Sequence, residues 1–278
     1  MNVSVEPLLA LPPAVDLSSG GETCRVRCLG AGPRLLLLHG GPGLDHHVML
    51  PLALPLARHF EVWLADLPGH GAAVSEDAPL PGLRELYERM ARWVRHLEGG
   101  VEFLGGHSLG AWVVRELLRR GGVRARAAVL LSPPAGTGGG QGHLPLLTGP
   151  GEPSEARRDF LEQLLEETGD SLSDEFLEAV ELAHLRRPTA YGALLEELFK
   201  QLRKPPPHCR PGCPVLVLGG TLDAITPPAG LAAVASATEG ARLRLLRDCG
   251  HLPWAHGDTE VAREIRRFLD ELNRGDAG

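Results

Sequence analysis

Short apolar runs alternate with longer amphipathic stretches along most of the chain. Residues 34–38 are an arginine followed by leucines only, which is typical of a parallel strand buried on both faces. Residues 23–29 alternate between polar and apolar, which is typical of a half-buried strand. Further strands are predicted at 60–65, 101–105, 127–131, 215–218 and 243–246, with helices at about 44–59, 83–97, 111–120, 228–236 and 259–272. This alternation predicts an α/β fold with a doubly wound, mostly parallel sheet.

Between residues 133 and 207 the alternation stops. Residues 133–142 are rich in proline and glycine, residues 154–203 show helical spacing without strands, and consecutive prolines at 205–207 end the segment. Two predicted helix faces in this segment consist of Phe160, Leu161, Leu164 and Leu165, and of Phe176, Leu177, Val180 and Ala183. We therefore expect residues 1–132 and 208–278 to form one α/β core, and residues 133–207 to form a helical lid inserted over the sheet.

Residues 106–110 read Gly-His-Ser-Leu-Gly and lie between a predicted strand and a predicted helix. The pattern G-x-S-x-G at such a position predicts a sharp turn that strains the backbone of Ser108. The same turn leaves no room for a side chain at Gly106 or Gly110. It exposes the serine hydroxyl at a helix N-terminus, where backbone N–H groups can stabilise an oxyanion. Ser108 is therefore the candidate nucleophile.

A serine nucleophile needs a base, and the base needs a carboxylate that orients it. His251 follows the last predicted strand in a Gly-His-Leu-Pro loop, and Asp223 ends a Gly-Gly-Thr-Leu-Asp turn after another strand. Active sites of such sheets form at the carboxyl ends of the strands, where both residues are expected. The order Ser108, Asp223, His251 is the one expected for a triad on this fold. Asp223 could instead cap the helix near residue 227, and Asp248 could orient the histidine, although Asp248 is expected to point elsewhere.

Residues 39–43 read His-Gly-Gly-Pro-Gly and follow the leucine run. Adjacent glycines let a backbone N–H approach a reacting carbonyl, so we expect the N–H groups of Gly41 and Leu109 to form an oxyanion hole. His39 is expected to brace the loop by hydrogen bonds rather than act as a base. The Asp-Leu-Pro-Gly-His-Gly loop at residues 66–71 is expected to be structural, closing a strand end. The sequence leaves the role of His107 open.

Five motifs, at residues 39–43, 66–71, 106–110, 220–223 and 250–253, together resemble those of the lidded α/β-hydrolases. The resemblance extends from about residue 23 to residue 272. A serine nucleophile differs from the carboxylate of haloalkane dehalogenases and epoxide hydrolases. His-Gly-Gly-Pro-Gly resembles the proline iminopeptidases, but those enzymes typically carry Gly-Gly-Ser-Trp-Gly at the nucleophile turn. Gly-His-Ser-Leu-Gly resembles the esterases and carbon–carbon-bond hydrolases instead.

Composition narrows the expected partners and cofactors. The 278-residue chain is 43% hydrophobic, enough for a large core, and its net charge of −7 argues against nucleic acid as the main partner. Without a positively charged N-terminal region or an apolar run of spanning length, we expect no membrane partner and a cytoplasmic protein. The five cysteines are irregularly spaced, which favours buried hydrophobes over disulfides. We expect no metal site, because the sequence shows neither paired Cys-x2-Cys motifs nor clustered histidines.

These features predict a cofactor-independent serine hydrolase that cleaves a small carboxylic ester, or a related acyl substrate, through an acyl-enzyme. One alternative is an aminopeptidase similar to the proline iminopeptidases. Residues 151–204 contain more acidic than basic residues, and this negative charge could bind the amino group of such a substrate. A carbon–carbon-bond hydrolase and a non-catalytic ligand-binding protein are also compatible with the sequence. The expected partner is a small-molecule substrate, and the sequence does not fix the oligomeric state.

Overall fold

One sheet of eight strands runs through the protein. The structure is a computed structural model that describes residues 11–71, 79–135, 172–184, 192–194, 196–198, 200, 204–257 and 259–275. The strands are β1 (Val15–Ser19), β2 (Glu22–Leu29), β3 (Arg34–Leu38), β4 (Glu61–Ala65), β5 (Phe103–His107), β6 (Ala127–Leu131), β7 (Val215–Gly220) and β8 (Ala241–Leu246), in the spatial order β1-β2-β4-β3-β5-β6-β7-β8. β2 runs antiparallel to its neighbours β1 and β4, while the pairs from β4 through β8 are parallel. This confirms the predicted α/β fold with a mostly parallel sheet.

Helices cover both faces of the sheet. They are a 3-10 helix (His46–Met49), α1 (Leu50–Leu56), α2 (Leu83–Arg95), α3 (Leu109–Arg119), α4 (Asp174–Leu182), α5 (Pro228–Ser236) and α6 (Glu260–Gly275). Successive side chains of a strand point to opposite faces, so Leu35 and Leu37 join the core beneath α1, α4 and α6. Leu36 and Leu38 join the core beneath α2, α3 and α5. Burial on both faces explains the unbroken leucine run.

One edge strand was not predicted, and β5, β7 and β8 each differ by two residues from the predicted bounds at one or both ends. The edge strand that was not predicted is β1. Val15 at its start is 53% exposed, so the strand does not show the alternation of buried apolar and exposed polar residues by which strands are recognised in a sequence. β5 begins and ends two residues later than predicted, at Phe103 and His107, so the sharp turn begins at Ser108 itself. The loops that follow β3, β5, β7 and β8 carry the candidate site residues.

Helix α4 lies in the segment expected to form a lid, of which residues 133–135, 192–194, 196–198, 200 and 204–207 are also described. Ser173 caps it by accepting a hydrogen bond from the backbone N–H of Phe176 at 3.2 Å. Phe176 and Val180 are fully buried in the core that also holds α1, but Leu177, predicted on the same face, is exposed. None of the eight strands lies among the described residues of 133–207. The predicted helix face around Phe160 and Leu164 lies outside the described residues, so a lid stays a prediction.

Helices of the described part of the chain are either too short or too polar to cross a membrane.

Candidate active site

Ser108 occupies the turn between β5 and α3 in a backbone conformation that is rare for a residue with a side chain. Its φ is +48° and its ψ is −115°. Such a conformation costs on the order of 1–3 kcal/mol and persists only where the surroundings enforce it. The backbone N–H of Ser108 donates to the carbonyl of Leu131 in β6 at 2.9 Å, and its carbonyl accepts from Trp112 at 3.0 Å, which starts α3.

Close packing around the turn explains its glycines. A Cβ built on Gly106 would lie 2.4 Å from the carbonyl carbon of Gly110. A Cβ built on Gly110 would lie 2.4 Å from the carbonyl oxygen of Leu38 and 2.5 Å from that of His39. All of these obstacles are backbone atoms, which cannot rotate away. The turn therefore presses against the end of β3, where the His-Gly-Gly-Pro-Gly loop begins.

Asp223 folds a tight turn after β7 through its own carboxylate. Its Oδ1 accepts the backbone N–H groups of Ile225 at 3.0 Å and Thr226 at 2.7 Å, and its Oδ2 accepts the Thr226 hydroxyl at 2.5 Å. Helix α5 begins later, with Pro227 at its N-cap and no side-chain cap. The interpretation of Asp223 as the cap of this helix is therefore wrong.

The same carboxylate also contacts His251. Oδ2 of Asp223 lies 2.9 Å from Nδ1 of His251, and both side chains are buried. Burial alone would raise the pKa of Asp223, but the charge of His251 and the hydrogen bonds from His251 and Thr226 outweigh it and lower the pKa to about 2. The carboxylate is thus ionised at neutral pH. An ionised acceptor at this position holds the proton of the imidazole on Nδ1, which leaves Nε2 as the basic nitrogen.

Backbone contacts join the loops that carry these residues. The N–H of Leu222, next to Asp223, donates to the carbonyl of Cys249 at 2.9 Å, so the Asp223 and His251 loops are linked. The His-Gly-Gly-Pro-Gly loop reaches the nucleophile turn, because a Cβ on Gly40 would lie 3.3 Å from Cβ of Ser108. The structure therefore gathers the loops after β3, β5, β7 and β8 at one edge of the sheet.

Asp248 and Asp66 have surroundings unlike those of Asp223. Asp248 is exposed and has a positive φ of +57°, and its backbone N–H donates to the Thr221 hydroxyl at 2.9 Å. Asp66 is buried at the end of β4, where its Oδ1 accepts the N–H of His46 at 2.8 Å. Neither observation connects these carboxylates to His251.

The expected oxyanion donors, the N–H groups of Gly41 and Leu109, belong to the His-Gly-Gly-Pro-Gly loop and to the first turn of α3, on either side of Ser108. Leu109 is the first residue of α3, and N–H groups of a helix's first turn have no acceptor within the helix. Gly41 has a φ of +140°, which a residue with a side chain rarely adopts. His39 is buried beside this loop: its Nδ1 donates to the Gly40 carbonyl at 2.6 Å and its Nε2 accepts the N–H of Leu67 at 2.9 Å. These bonds are those of a residue that braces the loop.

A buried polar network adjoins the His-Gly-Gly-Pro-Gly loop and was not predicted. The Nδ1 atoms of His46 and His47 contact Asp66 Oδ1 at 2.8 Å and Asp45 Oδ1 at 3.0 Å. Arg27 reaches the Nε2 atoms of both histidines at 3.3 Å. Because a guanidinium can only donate, both Nε2 atoms accept and both Nδ1 atoms carry hydrogen. The network thus places two neutral imidazoles between the Arg27 guanidinium of β2 and the carboxylates of Asp45 and Asp66.

His184, just beyond α4, joins this network from the predicted lid. Its N–H donates to Asp45 Oδ2 at 2.9 Å, and its Nδ1 lies 3.3 Å from the same oxygen. Asp45, His47 and His184 hold their ligand atoms within 4.8 Å of one another, so the expectation of no clustered histidines was wrong. A metal ion would need an unprotonated Nδ1 on His47, which the Arg27 contact disfavours.

Sequence reasoning missed two polar residues at the site. Thr226 lies three residues after Asp223, a spacing at which hydroxyl and carboxylate side chains often share one turn, so that signal was present. Ser132, at the end of β6, is buried with a φ of +44°, and its hydroxyl lies 3.4 Å from the carbonyl of His251. No local pattern marks Ser132, because its partner is distant in sequence.

Known proteins resemble this chain along most of its length. Curated relatives include a pimeloyl-[acyl-carrier protein] methyl ester esterase of Xanthomonas axonopodis, 26% identical over 267 residues, which covers 87% of this chain and 96% of that protein. The protein of the same name from Stenotrophomonas maltophilia is 29% identical over 272 residues, covering 90% and 97%.

Solved structures agree in fold. The esterase RhEst1 from Rhodococcus sp. ECU1013 is 22% identical with a TM-score of 0.69, and the match covers 94% of this chain and 100% of that one. A thermophilic esterase from Thermogutta terrifontis is 22% identical with a TM-score of 0.66, covering 94% and 99%. The model of the alpha/beta hydrolase family matches residues 35–264, which is most of the chain. The chain therefore belongs to the alpha/beta hydrolase family.

Proposed function

We propose that this protein is a serine esterase in which Ser108, His251 and Asp223 form the catalytic triad. The observation that carries the proposal is the 2.9 Å contact between an ionised, buried Asp223 carboxylate and Nδ1 of His251, on a loop that meets the strained Ser108 turn. A nucleophile, a base and a group that orients the base are the parts this chemistry needs.

In the proposed reaction, Nε2 of His251 accepts the hydroxyl proton of Ser108 while Oγ attacks the ester carbonyl carbon. The N–H groups of Gly41 and Leu109 stabilise the resulting oxyanion. The imidazolium then gives its proton to the leaving alcohol oxygen, the carbon–oxygen bond breaks, and the acyl group stays on Ser108. A water molecule, deprotonated by His251, then attacks the acyl carbon. The bond to Oγ breaks, the imidazolium returns its proton to Oγ of Ser108, and the carboxylic acid leaves. Asp223 stays ionised throughout and stabilises the imidazolium.

The relatives supply the substrate class. They are named as esterases of a methyl ester, so we propose a small carboxylic ester with a short alcohol part, and methyl esters are the first to test. No step of the proposed reaction requires a cofactor or metal ion.

We further propose that residues 133–207 form a lid over the core. Helix α4 supports this, because it is anchored by the buried Phe176 and is followed by His184, which binds Asp45 beside the His-Gly-Gly-Pro-Gly loop. A lid anchored there would close the substrate pocket from one side and exclude water.

A substrate panel tests the proposed function. Kinetics are measured on p-nitrophenyl esters, aliphatic methyl esters, proline amides and a carbon–carbon-bond substrate, for wild type and Ser108→Ala. We expect the highest kcat/KM on short esters, and none above background in the variant. A preference for proline amides would indicate an aminopeptidase, and a preference for the carbon–carbon-bond substrate would indicate a carbon–carbon-bond hydrolase. Absence of turnover on every class, with the protein folded, would support a ligand-binding protein instead.

A further inference from the structure

His107, the residue before Ser108, makes a contact that the proposed reaction has not used. It ends β5, its side chain is buried, and its Nε2 lies 2.9 Å from the backbone carbonyl oxygen of His251. A carbonyl oxygen can only accept, so Nε2 carries the hydrogen and His107 donates it. The residue beside the proposed nucleophile is thus bonded to the backbone of the proposed base.

The loop that carries His251 also surrounds the ring of His107. The His251 ring lies 4.7 Å from the His107 ring, centroid to centroid, and the Trp254 ring lies 4.9 Å away, edge-on at 82°. The indole Nε1–H of Trp254 donates to the carbonyl of Val48 at 2.9 Å, which fixes that end of the loop. Any shift of His107 would therefore be transmitted to the loop at two points.

The other edge of His107 contacts the His-Gly-Gly-Pro-Gly loop. A Cβ built on Gly40 would lie 2.4 Å from Nδ1 of His107, so the ring packs directly on the Gly40 backbone. Among the described residues, this Nδ1 is buried and has no hydrogen-bond partner. A buried polar atom without a partner is unfavourable, and an apolar side chain of similar size would avoid that cost. The bond from Nε2 is the interaction that an apolar residue at 107 would lose.

Charge is consistent with this role. Burial lowers the pKa of His107 well below its ordinary range, and the nearby His251 lowers it further. His107 therefore stays neutral near neutral pH, so it neither competes for the serine proton nor repels the imidazolium that forms on His251.

We propose that His107 is a positioning residue. Its Nε2–H donates a hydrogen bond to the His251 carbonyl and thereby fixes the position of the His251 imidazole relative to Ser108. The proposal rests on the proposed function, because it concerns the residue proposed as the base. A displacement of about 1 Å in such a group can lower a rate by about a hundredfold. Ser132 gives the same carbonyl a longer contact of 3.4 Å, so loss of His107 should weaken the restraint rather than abolish it.

Three variants separate the donor from the bulk of the side chain. His107→Gln places an amide N–H close to the position of Nε2, His107→Met has the same chain length without a donor, and His107→Asn places its amide nearer to the position of Nδ1. We expect His107→Met and His107→Asn to lower kcat on a p-nitrophenyl ester by about 10- to 100-fold with KM within about twofold. His107→Gln should stay within about fivefold of wild type.

Two controls make each outcome decisive. Melting temperatures establish folding; if His107→Met is unfolded, the comparison between His107→Gln and His107→Asn replaces it. The proposal would be overturned if His107→Met kept the wild-type kcat. It would also be overturned if His107→Gln lost as much kcat as His107→Met, or as His107→Asn where His107→Met does not fold. Hydrogen exchange of the peptide spanning 249–254 is measured in parallel and should speed up in His107→Met but not in His107→Gln. If wild type shows no esterase activity, the proposed function fails, while unchanged exchange would overturn the positioning role by itself.

Discussion

Replacing Asp223 with asparagine should leave the fold intact but put the proton of His251 on the wrong nitrogen. Two backbone N–H groups, from Ile225 and Thr226, point at Oδ1, so the amide oxygen of the introduced asparagine must occupy that position. The amide NH₂ then replaces Oδ2 and faces Nδ1 of His251, where it donates. Nδ1 becomes the acceptor, the hydrogen moves to Nε2, and Nε2 can no longer accept the proton of Ser108.

The size of the effect follows from two contributions. Although burial raises the pKa of Asp223, the charge of His251 and the hydrogen bonds from His251 and Thr226 lower it to about 2, so a neutral amide at this position removes the negative charge that stabilises the imidazolium. The change of tautomer adds to this, so we expect kcat to fall by up to about 10⁴, with KM little changed.

Asp248→Asn is the matched control. Asp248 is exposed, and asparagine tolerates its positive φ, so this variant should lose less than about tenfold in kcat. Both variants are assayed on the best ester of the panel, with melting curves to verify folding. The reasoning is refuted if Asp248→Asn has the strongly lowered kcat while Asp223→Asn keeps a kcat near that of the wild type.

Three further predictions concern stability, each read from melting curves. Gly110→Ala should cost about 1–3 kcal/mol or more, because its Cβ meets backbone oxygens. Gly192→Ala, an exposed helical position with no atom within 4 Å, should not destabilise the protein, and equal losses in the two variants would contradict this. Phe176→Ala should cost about 3–5 kcal/mol, and a loss below about 1 kcal/mol would mean that α4 is not anchored there. The hydrogen bond to Asp45 raises the pKa of His184, so its stabilisation is present below about pH 6.5 and lost as pH rises through the raised value. The melting-temperature gap between wild type and His184→Gln should therefore shrink from pH 6 to pH 9, and a constant gap would exclude this contribution.

Much of the fold was predictable because its signals are local. The leucine run of β3 is buried on both faces of the sheet, and the glycines around Ser108 face backbone atoms that forbid a Cβ. Each signal lies within a few residues of the feature it predicts. β1 was missed because an exposed edge strand buries few side chains and so carries no apolar alternation.

The polar network around Asp45 could not be predicted for the opposite reason. Arg27 and Asp66 meet the adjacent His46 and His47, and His184 meets Asp45, only after β2, β4 and α4 pack together. Their separation along the chain leaves no spacing to recognise. The contact of His107 with the His251 carbonyl spans 144 positions and escapes sequence reasoning in the same way.

The central claim is that Ser108 is the covalent nucleophile, and active-site labelling tests it most directly. The protein is incubated with a fluorophosphonate probe, digested, and examined by mass spectrometry. We predict about one equivalent of adduct on the peptide that contains Ser108, none in Ser108→Ala, and much slower labelling in Asp223→Asn. Undiminished labelling of Ser108→Ala, or an adduct on a different peptide of the wild type, would contradict the account.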